Sequence, residues 1–209
     1  MKSRALTFFA LFLLTSCVDS TQQRAVEPSL KPSPKELRVA IPPDFEKHYY
    51  LKSIDEFAAK NDLPKLRETN LPVDDIEVRV HVGFGLYGVD ELVLRRTSGD
   101  WESYHYLGML CHHENRGIAK LGVPKSGWDA AWQSLLNAGL LSLSGIKDSG
   151  INDGTSYIVE TSLNETYSVY AFGNPDYLKN SEGDQMVEIG EVLAEEFGLD
   201  TFRVHFPCK

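Results

Sequence analysis

The sequence predicts an α+β domain: a mainly antiparallel sheet of about five to six strands with two to three helices packed on one face. Three observations carry this expectation. Short alternating segments are joined by hairpin-type turn signals, and two longer segments show helical spacing between cap residues. No regular strand–helix–strand alternation runs along the chain, as a parallel sheet would need.

Residues 37–41 alternate and stop at Pro42-Pro43, which suits a short edge strand. Ser53 is placed to cap a helix over 54–60, with Ile54, Phe57 and Ala58 on one face. Ile76, Val78, Val80 and Val82 alternate with Glu77, Arg79 and His81, so one face of this strand reads as core and the other as polar surface. Segments 92–96 and 101–107 flank Thr97-Ser98-Gly99-Asp100, and segments 155–161 and 166–172 flank Ser162-Leu163-Asn164-Glu165; both read as hairpins. One helix starts at Ser126-Gly127-Trp128-Asp129, continues through Ala131, Trp132 and Leu135, and stops at Gly139. Ser181 with Asp184 opens another, carrying Met186, Ile189, Val192, Leu193 and Phe197 before Gly198. Residues 201–206 alternate again, the pattern of a closing strand.

With 42% hydrophobic and 24% charged residues, the 209-residue chain has ordinary globular content, which excludes collagen-like, coiled-coil and wholly disordered forms. A formal charge of −9 repels phosphate backbones, so nucleic acid is not an expected partner. Lys2 and Arg4 precede an apolar run over 5–14, too short to span a membrane but of the length of a secretory core. The run ends in Leu14-Thr15-Ser16-Cys17, which resembles the lipobox of bacterial lipoprotein precursors. That resemblance implies cleavage between Ser16 and Cys17, with a signal peptide over 1–16. It also implies diacylglycerol on the Cys17 thiol, acylation of the new amino terminus, and an exported protein held at the membrane by lipid. Val18, where aspartate is the usual inner-membrane retention signal, implies the outer membrane, facing the periplasm, if the source is a diderm.

Cys17 and the segment to residue 36, with Pro28, Pro32 and Pro34 and no apolar periodicity, read as a flexible tether, and 37–209 as a single globular domain. Cys111 and Cys208 remain as an even pair in a compartment that permits a disulfide; two separate thiols or metal ligation are the alternatives.

Cys111-His112-His113-Glu114 is the densest group of ligand-type side chains, and with Cys208 and His205 it could make a zinc or copper set. Adjacent histidines on a strand point apart, however, and no second spaced pair follows, so a solvated loop is the plainer reading and no metal or other cofactor is expected. The GxGxxG pattern over 83–88 lies between two strands without a helix to present its N-terminus to a phosphate, and reads as a connection. Arg79 and His81 on one strand, Arg203 and His205 on another, and Tyr104 with Tyr106 would form a basic, aromatic ligand-binding face if those strands were neighbours. The expected function is a lipid-anchored, non-enzymatic binding module whose partner is another envelope protein, a glycan or an anionic ligand. The rivals are a hydrolase or metal-dependent enzyme centred on His112 and His113, with unknown catalytic residues, and a structural or inhibitory module acting by shape.

Overall fold

The computed structural model describes residues 37–45, 49–85, 88–107, 117–151 and 154–204. The signal segment, the tether, Cys17, Cys111, His112, His113, His205 and Cys208 lie outside these residues. Eight strands form one sheet: β1 (Arg38–Ala40), β2 (Ile76–Gly85), β3 (Gly88–Thr97), β4 (Asp100–Leu107), β5 (Gly117–Lys120), β6 (Gly145–Asp148), β7 (Ser156–Leu163) and β8 (Thr166–Gly173). Three helices accompany them: α1 (Tyr50–Lys60), α2 (Trp128–Asn137) and α3 (Ser181–Phe197). The sheet runs β1-β8-β7-β2-β3-β4-β5, and β6 joins β1 on β8. Every pairing is antiparallel except β1 and β6 on β8, which are parallel. The class is α+β as expected, with more strands than the five or six anticipated.

Both expected hairpins form with two-residue turns. Ser98 and Gly99 sit at φ 52° and 95° between β3 and β4, and Asn164 and Glu165 at φ 48° and 59° between β7 and β8. Paired positive φ angles match the twist of the flanking strands. Glu165 pays a steric cost there that glycine would not, so Glu165→Gly should raise stability by about 0.5–1 kcal/mol. A thermal melt showing no gain would mean that the Glu165 side chain holds the turn. β2 and β3 pair as far as Gly85 and Gly88, with a register irregularity between Gly83 and Gly85, and residues 86–87 of the glycine-rich stretch lie outside the described residues.

Helix starts differ in their chemistry. The Asn180 side chain accepts from Gly183 N at 2.8 Å to cap α3, and Gly198 ends it in the left-handed conformation. Ser53, expected as a cap, instead lies inside the first turn of α1, its hydroxyl donating to Tyr49 O at 3.0 Å. Among the described residues no helix is long and apolar enough to cross a membrane.

The helices do not share one face of the sheet, which corrects the sequence expectation. Val78, Val80, Val82, Leu92, Leu94, Tyr157, Val159, Tyr170 and Phe172 face α2 and α3 through Leu135, Met186, Ile189 and Leu193. On the opposite face Ile158, Tyr167, Val169 and Ala171 pack with Phe45, Tyr50, Ile54 and Leu66 of the α1 region. A helix on each side buries both faces of β7 and β8, so apolar neighbours such as Ile158 and Val159, or Ala171 and Phe172, enter opposite cores.

The closing strand expected over 201–206 is also corrected. A 3-10 turn over Asp200–Phe202 stands there, and Arg203 N donates to Asp200 O at 3.0 Å. The Phe202 side chain is fully buried, and its carbonyl accepts from Tyr157 Oη at 2.8 Å. That carbonyl also lies 2.5 Å from where a Cβ on Gly190 would stand, so only glycine in α3 admits this approach. The segment is thus pinned to α3 instead of pairing with a strand.

Candidate functional site

Alternation places Glu77, Arg79 and His81 on the α1 side of β2, opposite Arg95, Val93 and Glu91 of β3 and Ser162, Glu160 and Ile158 of β7. Five charged or titratable side chains are thereby enclosed: Glu77, Arg79, His81, Glu91 and Glu160 are at most 3% exposed. Burying charges is costly unless they pair, and all but Glu91, whose oxygens make no hydrogen bond, are hydrogen-bonded to a partner. Arg79 Nε donates to Glu77 Oε1 at 2.8 Å, and Arg95 Nε donates to Glu77 Oε2 at 2.8 Å. His81 Nε2 lies 3.0 Å from Glu160 Oε2 and its Nδ1 lies 3.3 Å from Glu91 Oε2. Tyr167 Oη donates to Glu160 Oε1 at 2.9 Å, and the Phe57 ring of α1 meets the His81 ring edge-on at 5.7 Å.

The environment separates the two glutamates that flank the histidine. Desolvation pushes Glu91 up to about 7, against the pull of His81 and Arg79. For Glu160 desolvation acts upward too, but the His81 contact, Arg79 and the Tyr167 hydroxyl together hold it below the usual range. A second buried pair occupies the other face, where His105 Nε2 is 3.3 Å from Asp90 Oδ2 and the His105 ring is 5.9 Å from Phe202. Asp90 and Glu91 are consecutive on β3, so each reaches a histidine on a different side.

The expected basic face is therefore not a surface. Arg79 and His81 point away from the apolar core, as alternation requires, but into a layer covered by α1. Tyr106 is buried beside them. Tyr104 is half-buried; its hydroxyl donates to Glu102 at 2.8 Å and Lys120 Nζ lies 5.4 Å from its ring centre. Arg203 sits beyond the 3-10 turn, paired with Glu191 and with Asp200. These residues do not pool their charge, and His205 lies outside the described residues. Asp75 is buried and accepts from Ser98 N at 2.8 Å.

The exposed aromatic feature lies elsewhere. All three tryptophans of the chain meet where β4, α2 and α3 adjoin. The Trp101 and Trp128 ring centres are 5.6 Å apart with planes 7° from parallel, and Trp132 lies 5.2 Å from Trp101. Phe197 of α3 closes the group 6.0 Å from Trp128, and Arg96 Cζ lies 5.5 Å from the Trp101 centre. With Leu94, Ala131 and Leu135 at its base, the crevice is shallow and lined by apolar side chains. The three tryptophans are half-buried, which leaves ring surface to a partner. Sequence reading placed Trp128 and Trp132 on one helix, but Trp101 joins them only through the packing of sheet on helix.

Among the described residues no group of three His, Cys, Asp or Glu side chains could hold a metal ion. The stretch over 83–88 leads into β3 and offers no helix N-terminus to a phosphate. No protein-family model matches the chain. A search of curated proteins likewise finds no match.

Proposed function

We propose that this chain is a lipid-anchored protein of the bacterial envelope whose α+β domain is a non-enzymatic binding module, with the tryptophan crevice as its contact site. The membrane half of this reading rests on the Lys2–Arg4 start, the apolar run and Leu14-Thr15-Ser16-Cys17. Several acyl chains on Cys17 would give lasting attachment, since each buried methylene contributes about 0.8 kcal/mol. Outer-membrane placement follows from Val18 if the source is a diderm.

The binding half rests on one observation: every tryptophan of the chain converges on a single half-exposed apolar crevice. Such clusters match the anchors that dominate interface energetics. Of the partners considered, another envelope protein fits best. A glycan needs hydrogen-bonding groups around its stacking platform, and this crevice presents apolar carbon. The apolar lining suits contact with an apolar side chain of a partner, such as leucine, proline or an aromatic residue.

Two experiments address the two halves separately. Cys17→Ser should abolish palmitate labelling and membrane attachment; equal label on variant and parent would overturn the lipoprotein reading. A photo-cross-linking residue at Trp132, in cells carrying the full chain, should give a discrete protein adduct that Trp101→Ala removes. The same residue at Glu188, an exposed position of α3, should give none. Adducts equal at both positions, or none at Trp132, would overturn the crevice as the contact site.

A further inference from the structure

The row formed by Glu91, His81 and Glu160 has a proton count that its geometry dictates. His81 Nε2 meets Glu160 Oε2 at 3.0 Å, while its Nδ1 lies 3.3 Å from Glu91 Oε2 outside hydrogen-bond geometry, and both Glu91 oxygens are buried without a hydrogen-bond partner. A neutral imidazole carries one N–H and one lone pair. With both glutamates ionised and the ring neutral, one nitrogen lone pair must face an anionic oxygen where water is excluded. One proton on Glu91 removes this conflict. We propose that this row is a proton-binding site and that the bound proton holds α1 on the sheet.

The surrounding charges give the same count. From β2 come Glu77 and Arg79; from β3, Arg95 beside Glu91; from β4, Tyr106; from β7, Glu160; and from β8, Tyr167. The 3-10 turn over Leu66–Glu68 adds Arg67, which faces Tyr167 and pairs with Asp55 of α1. That turn and α1 thus neutralise each other, and α1 lays the Phe57 ring on His81. Within the row and its neighbours, Glu77, Glu91 and Glu160 oppose Arg79 and Arg95, one positive charge short. The proton supplies that charge.

Desolvation lifts Glu91 from its ordinary 4.5 to about 7, so the proton is retained to near neutrality. Because the folded value is the higher one, its stabilising contribution is complete below about 4.5 and is lost as pH rises through about 7. Glu160 has the opposite sign: its value is lowered, so its contribution is present above 4.5 and is lost in acid. Rising pH therefore leaves one uncompensated negative charge beneath α1. Lifting α1 is the smallest motion that readmits water, because it opens only the α1-side core and leaves the larger α2–α3 core intact.

Hydrogen exchange of the full chain tests this without reference to the crevice. Between about pH 6 and about pH 8.5, after correction for intrinsic exchange, protection of α1 should fall roughly tenfold or more while that of α3 stays constant. Glu91→Gln places an N–H opposite His81 without needing a proton, and should make α1 protection independent of pH. Equal loss in α1 and α3, loss in neither, or a parent-like pH dependence in Glu91→Gln would overturn the proposal. Should that variant fail to fold, the comparison of α1 with α3 in the parent decides the question alone.

Discussion

Replacing Arg79 with methionine should lower the unfolding free energy by about 3–5 kcal/mol, the range for removing one partner of a buried ion pair. Arg79 is 1% exposed, and its guanidinium meets Glu77 through Nε at 2.8 Å and Nη2 at 2.7 Å. It also counters Glu160 and Glu91 at longer range. Methionine fills much of the same volume, so the loss reports charge and not a cavity. Glu77 would keep only Arg95, whose side chain is 31% exposed and shared with Glu102. The Glu91–His81–Glu160 row would lose a neighbouring cation as well. Charge reversal, Arg79→Glu, should go further and leave the domain unfolded at room temperature. On the surface reading of this strand, both changes would alter stability by less than about 0.5 kcal/mol. Urea denaturation followed by circular dichroism separates the two: a loss under about 1 kcal/mol for Arg79→Met would return Arg79 to the surface.

That contrast shows where the sequence is legible and where it is not. Alternation in β2 identifies two faces correctly, and Val78, Val80 and Val82 lie in the main core. It cannot tell water from a covering helix. A face of Glu, Arg and His has the same pattern whether solvent or other charges satisfy it. One signal was available: Glu160 directly follows the apolar Tyr157-Ile158-Val159, and Asp90-Glu91 precede Leu92-Val93-Leu94. An acid inside an apolar strand needs a buried partner, and the basic side chains of β2 are that partner.

Local chemistry was the more reliable guide. Both hairpins, the Gly139 and Gly198 stops and α3 from its first residue follow from turn, cap and spacing rules acting over a few residues. β5 and β6 did not show because four-residue strands such as Gly117–Lys120 and Gly145–Asp148 have too little alternation; only pairing with β4 and β8 makes them strands. Residues 201–204 erred the other way, and 205–206 of the expected strand lie outside the described residues. Their alternation is strand-like, yet the bond from Tyr157 and the close approach to Gly190 hold the backbone at α3. The crevice is legible only as parts, since Trp101 is 27 residues from Trp128 and meets it through the sheet–helix interface.

Replacing both Cys111 and Cys208 with serine should cost up to about 4–5 kcal/mol while leaving the fold intact, if the two are bonded in the exported protein. The estimate is the chain entropy of closing the long loop between residues 111 and 208, and it acts on the unfolded chain. The described fold makes the pairing feasible. The rings of His105 and Phe202 are 5.9 Å apart. Cys111 follows His105 by six residues and Cys208 follows Phe202 by six. Six residues reach at most about 20 Å, so the chain lengths from these two rings permit the thiols to meet. Phe202 is itself fully buried beneath Tyr157, and a bridge at Cys208 would secure the turn that carries it. Alkylation of the exported protein without reduction, followed by mass spectrometry, should find neither thiol modified. The serine double variant should unfold at lower urea than the parent, and reducing agent should lower the parent to the same midpoint. Two fully alkylated thiols in native protein would remove the bridge. An unchanged midpoint in the double variant would show that the bond, even where formed, adds nothing to the stability of the folded chain.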